Sequence, residues 1–89
     1  METVHLVIKG KVQGVYYRAS AKEKANELGI KGWIKNIPGG HVEVMASGSK
    51  EQLEKFIEWC RQGPKYAHVS DMIVTKGEQE NFNDFSIKK

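Results

Sequence analysis

A single cysteine, two prolines and the absence of any long apolar run set the first limits on this 89-residue chain. Cys60 alone cannot close an internal disulfide, which fits a reducing compartment. Near the N-terminus the longest apolar run is Leu6-Val7-Ile8, too short for a signal-peptide core or a membrane span. A cytoplasmic protein with no membrane partner is therefore expected. Low-complexity tracts, linkers and blocks of like charge are also lacking. Fourteen Lys and Arg against eleven Asp and Glu give a net charge of +3, a mild attraction for anions. The lysines are scattered rather than arranged in a stripe, so no nucleic-acid partner is expected. His5, His41 and His68 fall on separate predicted strands with no Cys or carboxylate cluster beside them, so no metal and no cofactor are expected.

What is present is an ordinary globular balance, 39% hydrophobic and 28% charged, and enough length for one domain spanning residues 1–89. Val4, Leu6 and Ile8 alternate with more polar neighbours and predict a first strand running into Gly10. After Arg18, Ala21, Ala25 and Leu28 recur at helical spacing, and Gly29 suits the left-handed position that ends a helix. Gly32 to Asn36 and His41 to Ala46 flank Pro38-Gly39-Gly40 and read as a β-hairpin. Ser49 and Gln52 form a capping-box pair ahead of Leu53, Phe56, Ile57 and Cys60, which predicts a second helix from about Lys50 to Gln62, closed by Gly63-Pro64. Ala67, Val69 and Ile73 alternate as a fourth strand. Lys76 to Asn83 is too polar for anything but a loop, and Phe85 and Ile87 suggest a short closing strand.

The order β-α-β-β-α-β describes an α+β, ferredoxin-like split βαβ fold: two helices on one face of a mainly antiparallel sheet. Such a fold carries enzymes, RNA binders and regulatory modules alike, so function must come from a site. The best candidate is the turn between the first strand and first helix. Gly10 and Gly14 offer unusual backbone angles and close approach to a ligand, and the unpaired N–H groups of a helix's first turn attract anions. Arg18 adds a permanent charge that can grip two phosphate oxygens at once.

Gly10-Lys11-Val12-Gln13-Gly14-Val15-Tyr16-Tyr17-Arg18 resembles the acylphosphatase family signature Gly-x-Val-Gln-Gly-Val-x-(Phe or Tyr)-Arg. Gly32-Trp33-Ile34-Lys35-Asn36 with Gly40-His41-Val42-Glu43 is similar to the family's hairpin motif. Gly63-Pro64-Lys65-Tyr66-Ala67-His68-Val69 is similar to the stretch after its second helix. The resemblance implies that the backbone N–H groups of Gln13, Gly14, Val15, Tyr16, Tyr17 and Arg18 cradle a phosphate, that Arg18 binds it, and that Asn36 holds an attacking water. It implies hydrolysis of a small acyl phosphate, with inorganic phosphate as product and inhibitor; a monomer is expected. Tyr17 stands where many members have Phe, which bears on packing behind the loop. Gly39 stands where Asp usually precedes the turn glycine, which bears on the hairpin tip.

An acyl phosphate loses a carboxylate of pKa about 4 to 5, so no general acid is needed. What remains is to neutralise phosphoryl oxygens and place a water, for which Arg18, the loop and a neutral Asn36 amide suffice. Cys60 and Trp59 are expected to pack with the second helix, Trp33 to pack, and Tyr16 to border the site. Glu43 is expected to be structural. The rival readings are a ferredoxin-like RNA-binding module, which lacks stacking aromatics on its first and third strands, and a phosphate-binding module without catalysis.

Overall fold

Alternation, caps and turn glycines resolve into seven elements in the computed structural model, which describes residues 1–88. In chain order they are β1 (Glu2–Lys11), α1 (Tyr17–Leu28), β2 (Lys31–Ile37), β3 (His41–Gly48), α2 (Lys50–Gln62), β4 (His68–Lys76) and β5 (Phe85–Lys88). The strands form one sheet in the order β4-β1-β3-β2-β5. Its pairings are antiparallel except that of β2 with β5. This is the expected ferredoxin-like arrangement, with a parallel edge strand added by β5.

The core lies between the sheet and the two helices. Leu6 and Ile8 of β1, Ile34 of β2, and Val42, Val44 and Ala46 of β3 are buried on the covered face. α1 contributes Tyr17, Ala21 and Ala25, whose small alanines let it lie close to the sheet. α2 contributes Leu53, Phe56 and Cys60. Phe56 meets Phe85 of β5 edge to face, with centroids 5.7 Å apart. Fully burying a side chain of this size contributes about 1.5–3 kcal/mol, so β5 is tied to α2 as well as to β2.

The helix starts differ in a way that bears on function. Ser49 Oγ accepts from the Gln52 N–H at 3.2 Å and Gln52 Oε1 accepts from the Ser49 N–H at 2.7 Å, the predicted capping box of α2. α1 has Tyr16 at its N-cap, no side-chain cap and no acidic residue in its first turn.

Two expectations are corrected. Lys9 pairs with Asp71 but Gly10 pairs with Val69, so Ser70 is an extra residue in β4. The bulge resets the alternation. Val69 and Met72 both pack against the core, while Ile73, expected to alternate with Ala67 and Val69, is 44% exposed. Gly10 belongs to the same irregularity. Its φ of 121° and lack of a Cβ let it lie against the His68 carbonyl of β4, so the glycine serves strand pairing rather than ligand approach.

Candidate active site

Between β1 and α1 the chain must turn while keeping its apolar side chains inside. Val12, Val15 and Tyr17 are buried, whereas Gly14 and Tyr16 are exposed. Gly14 takes φ 73° and Tyr16 takes φ 62°. Left-handed residues interspersed in a turn point successive N–H groups inward to form an anion-binding nest. The uncapped first turn of α1 adds further donors and the positive end of its dipole. Glycine was the expected source of unusual backbone angles; a tyrosine in the left-handed region was not.

Arg18 lies in that first turn, half-buried, with no salt bridge among the described residues. It lines a pocket of about 400 Å³ with Val12, Gly14, Tyr16, Tyr17, Ala19 and Ile87. Gln13, Val15 and Asn36 do not line it. Asn36 lies on β2, two residues beyond Ile34 and on the same covered face. Ile34 is the register partner of Ile87, so Asn36 sits next to the pocket's β5 wall. Its Oδ1 is buried and has no hydrogen-bond partner among the described residues. A buried amide oxygen without a donor is uncommon and marks a place where a water or ligand hydrogen fits.

The link between loop and hairpin is the side chain of Gln13. Its Nε2 donates to the Ile37 carbonyl at 3.1 Å and to the His41 carbonyl at 2.8 Å. These carbonyls end β2 and begin β3, so one amide spans the turn that follows Asn36. The sequence indicated only the Gln13 backbone. The clamp also holds the hairpin tip at Gly39-Gly40, where both glycines take positive φ.

Behind the loop, the Tyr17 hydroxyl donates to the Cys60 carbonyl at 2.6 Å, near the end of α2. Its ring packs against Trp59, with centroids 5.6 Å apart, and closely against Gly63. Burial, with Cys60 adding to it, drives the Tyr17 phenol far above its ordinary range. Burial likewise pushes the Cys60 thiol up to about 12, so it carries no thiolate to act as a nucleophile. Glu43 lies away from the pocket on the open face of the sheet, 2.7 Å from His5 and 3.5 Å from Lys35. Among the described residues, no group of three or more His, Cys, Asp and Glu is arranged to hold a metal. Among the same described residues, no helix is long and apolar enough to cross a membrane.

Fold and site together define a ferredoxin-like protein with an uncapped helix start bearing Arg18 at its first strand–helix junction and a bare amide oxygen on the hairpin that Gln13 ties to it. The acylphosphatase family model matches residues 4–87. An acylphosphatase of Marinobacter nauticus is 48% identical over 82 residues, covering 91% of this chain and 89% of the relative. Among solved structures, an acylphosphatase from Bacillus subtilis superposes with a TM-score of 0.96 at 32% identity over the whole of both chains. One from Coxiella burnetii gives 0.93 at 37% identity, over 98% of this chain and 92% of the other. The chain belongs to the acylphosphatase family.

Proposed function

We propose that the chain hydrolyses acyl phosphates to a carboxylate and inorganic phosphate. Arg18 and the N–H groups from Gln13 to Arg18 hold the phosphoryl oxygens, and Asn36 orients the attacking water. The observation that carries the water assignment is the buried, unpartnered Asn36 Oδ1, on the hairpin that the Gln13 side chain ties to the loop. Water donates one hydrogen to Oδ1, which directs an oxygen lone pair towards phosphorus. The new P–O bond forms as the bridging P–O bond breaks, and its electron pair leaves on the carboxylate. The water's proton passes to a phosphoryl oxygen, so the amide stays neutral throughout. Charge is met by the Arg18 guanidinium and fixed backbone dipoles, which need no reorganisation as the reaction proceeds. The enzyme is expected to act as a cytoplasmic monomer without metal or cofactor.

The RNA-binding alternative lacks a stacking platform. On the open face β1 presents His5, Val7 and Lys9, and β3 presents His41, Glu43 and Met45, with no Phe, Tyr or Trp.

The test is release of phosphate from acetyl and benzoyl phosphate in the presence of EDTA, with inorganic phosphate as a competitive inhibitor. Asn36→Ala should lower kcat by at least about 100-fold, the scale of a lost positioning group, while phosphate inhibition persists. Arg18→Gln should weaken phosphate inhibition as well as turnover. Near-normal turnover by Asn36→Ala would remove the water-holding role, and no hydrolysis by the unaltered protein would remove the enzymatic reading.

A further inference from the structure

The residues considered so far address only the phosphoryl half of the substrate. The pocket containing Arg18 holds about 400 Å³. A phosphoryl group displaces roughly two or three waters, each about 30 Å³ of liquid. Most of the pocket is therefore left for whatever is joined to the phosphate, and its wall mixes polar with apolar surface, Val12, Tyr16, Ala19 and Ile87 lining it alongside Arg18.

Two of these residues are exposed, Tyr16 at 81% and Ile87 at 38%. Ile87 projects on the helix-covered side of β5, two residues beyond the buried Phe85. It lies on an edge strand, where a polar residue would satisfy the strand pairing equally well. Tyr16 occupies a left-handed position better suited to glycine or asparagine, and its hydroxyl makes no hydrogen bond among the described residues. Neither the backbone nor a folded-state contact accounts for this side chain, yet Tyr16 lines the same pocket as Ile87 of β5.

We infer that Tyr16 and Ile87 form an acyl subsite, and that it selects acyl phosphates with an aromatic or branched apolar acyl group over acetyl phosphate. The inference rests on the hydrolytic reading proposed above. With the phosphate fixed in the cradle, an apolar acyl group lies against the Tyr16 ring and the Ile87 side chain and removes both from water, whereas an acetyl group is too small to span them. An apolar contact of this kind discriminates modestly, since a half-open pocket recovers only part of the transfer free energy.

The experiment compares kcat/KM for benzoyl and acetyl phosphate in the unaltered enzyme, Ile87→Ala, Ile87→Thr and Tyr16→Ala. The intrinsic reactivity difference between the substrates is the same for each enzyme, so a change in their ratio reports the subsite. The benzoyl-to-acetyl ratio should fall about 5-fold in Ile87→Ala and by a similar factor in Tyr16→Ala. Ile87→Thr keeps the β-branched shape favoured in a strand while losing apolar character, and it should lower the ratio if Ile87→Ala does not fold. The inhibition constant of inorganic phosphate should stay the same in the Ile87 variants, because phosphate has no acyl group. An unchanged ratio in the Ile87 variants, or an equal loss of phosphate inhibition, would overturn the subsite. Failure of the unaltered enzyme on both substrates would instead overturn the hydrolytic reading.

Discussion

At the residue scale, Gln13 carries the largest consequence per atom. Its Nε2 reaches two carbonyls, at 3.1 and 2.8 Å, on either side of the hairpin turn. It thereby ties the proposed phosphate loop to the hairpin that bears Asn36. Gln13→Ala removes both bonds and leaves the loop and hairpin free to separate. A misplacement of the order of 1 Å between reacting groups costs about 100-fold in rate. We expect kcat to fall by about 10- to 100-fold, with phosphate inhibition weakened by no more than about 2-fold because the cradle is backbone. Equal losses in kcat and phosphate binding would show that Gln13 shapes the cradle itself. Arg18 and Asn36 could be named as candidates from the sequence, Arg18 by its chemistry beside the loop and Asn36 by its place in a family motif. It concealed the Gln13 side chain, whose partners are carbonyls 24 and 28 residues away, and Ile87, whose role depends on β5 coming to lie beside β2.

At the element scale, helices and hairpin were legible because their signals are local: the Ser49–Gln52 box, the Gly29 stop and the Pro38-Gly39-Gly40 turn. The β4 bulge was not, since an extra residue exists only relative to the partner strand. Pairing also governs the open face, where Glu43 of β3 meets His5 of β1 and Lys35 of β2. The hydrogen bond to His5, with both neighbours' charge and the Lys35 bond, holds the Glu43 carboxyl below its ordinary value against a smaller desolvation effect. A carboxyl lowered in the folded state stabilises it above the unfolded pKa, and that contribution is lost as pH falls through the folded value. Glu43→Gln should therefore lower the urea midpoint at pH 7. The gap to the unaltered protein should close as pH falls below about 4, where unfolded carboxylates protonate. A gap that persisted or widened in acid would refute the assignment of this stabilisation to the ionised carboxylate.

At the scale of the whole molecule, the site and the core are continuous. Tyr17 opens α1 and its hydroxyl ends on the Cys60 carbonyl of α2, so the loop between β1 and α1 and the second helix share one packed unit. Cys60 itself is fully buried, and its thiol, raised by burial, reacts only after the core opens. A ligand that binds only the folded state slows that opening by mass action. Phosphate at 100 times its dissociation constant adds about 2.7 kcal/mol, equivalent to about a 100-fold lower population of open molecules. If opening and closing are fast relative to the reaction, labelling of Cys60 by a thiol reagent at pH 8 should slow by about that factor when phosphate is added. Arg18→Gln should remove most of the protection, while the subsite variant Ile87→Thr should keep it. Labelling that ignores phosphate in a protein whose activity phosphate inhibits would mean that Cys60 becomes exposed by a local motion of α2, leaving the cradle intact. Protection of the expected size would place the proposed phosphate loop and the α2 core in one cooperative unit, joined through the Tyr17–Cys60 hydrogen bond.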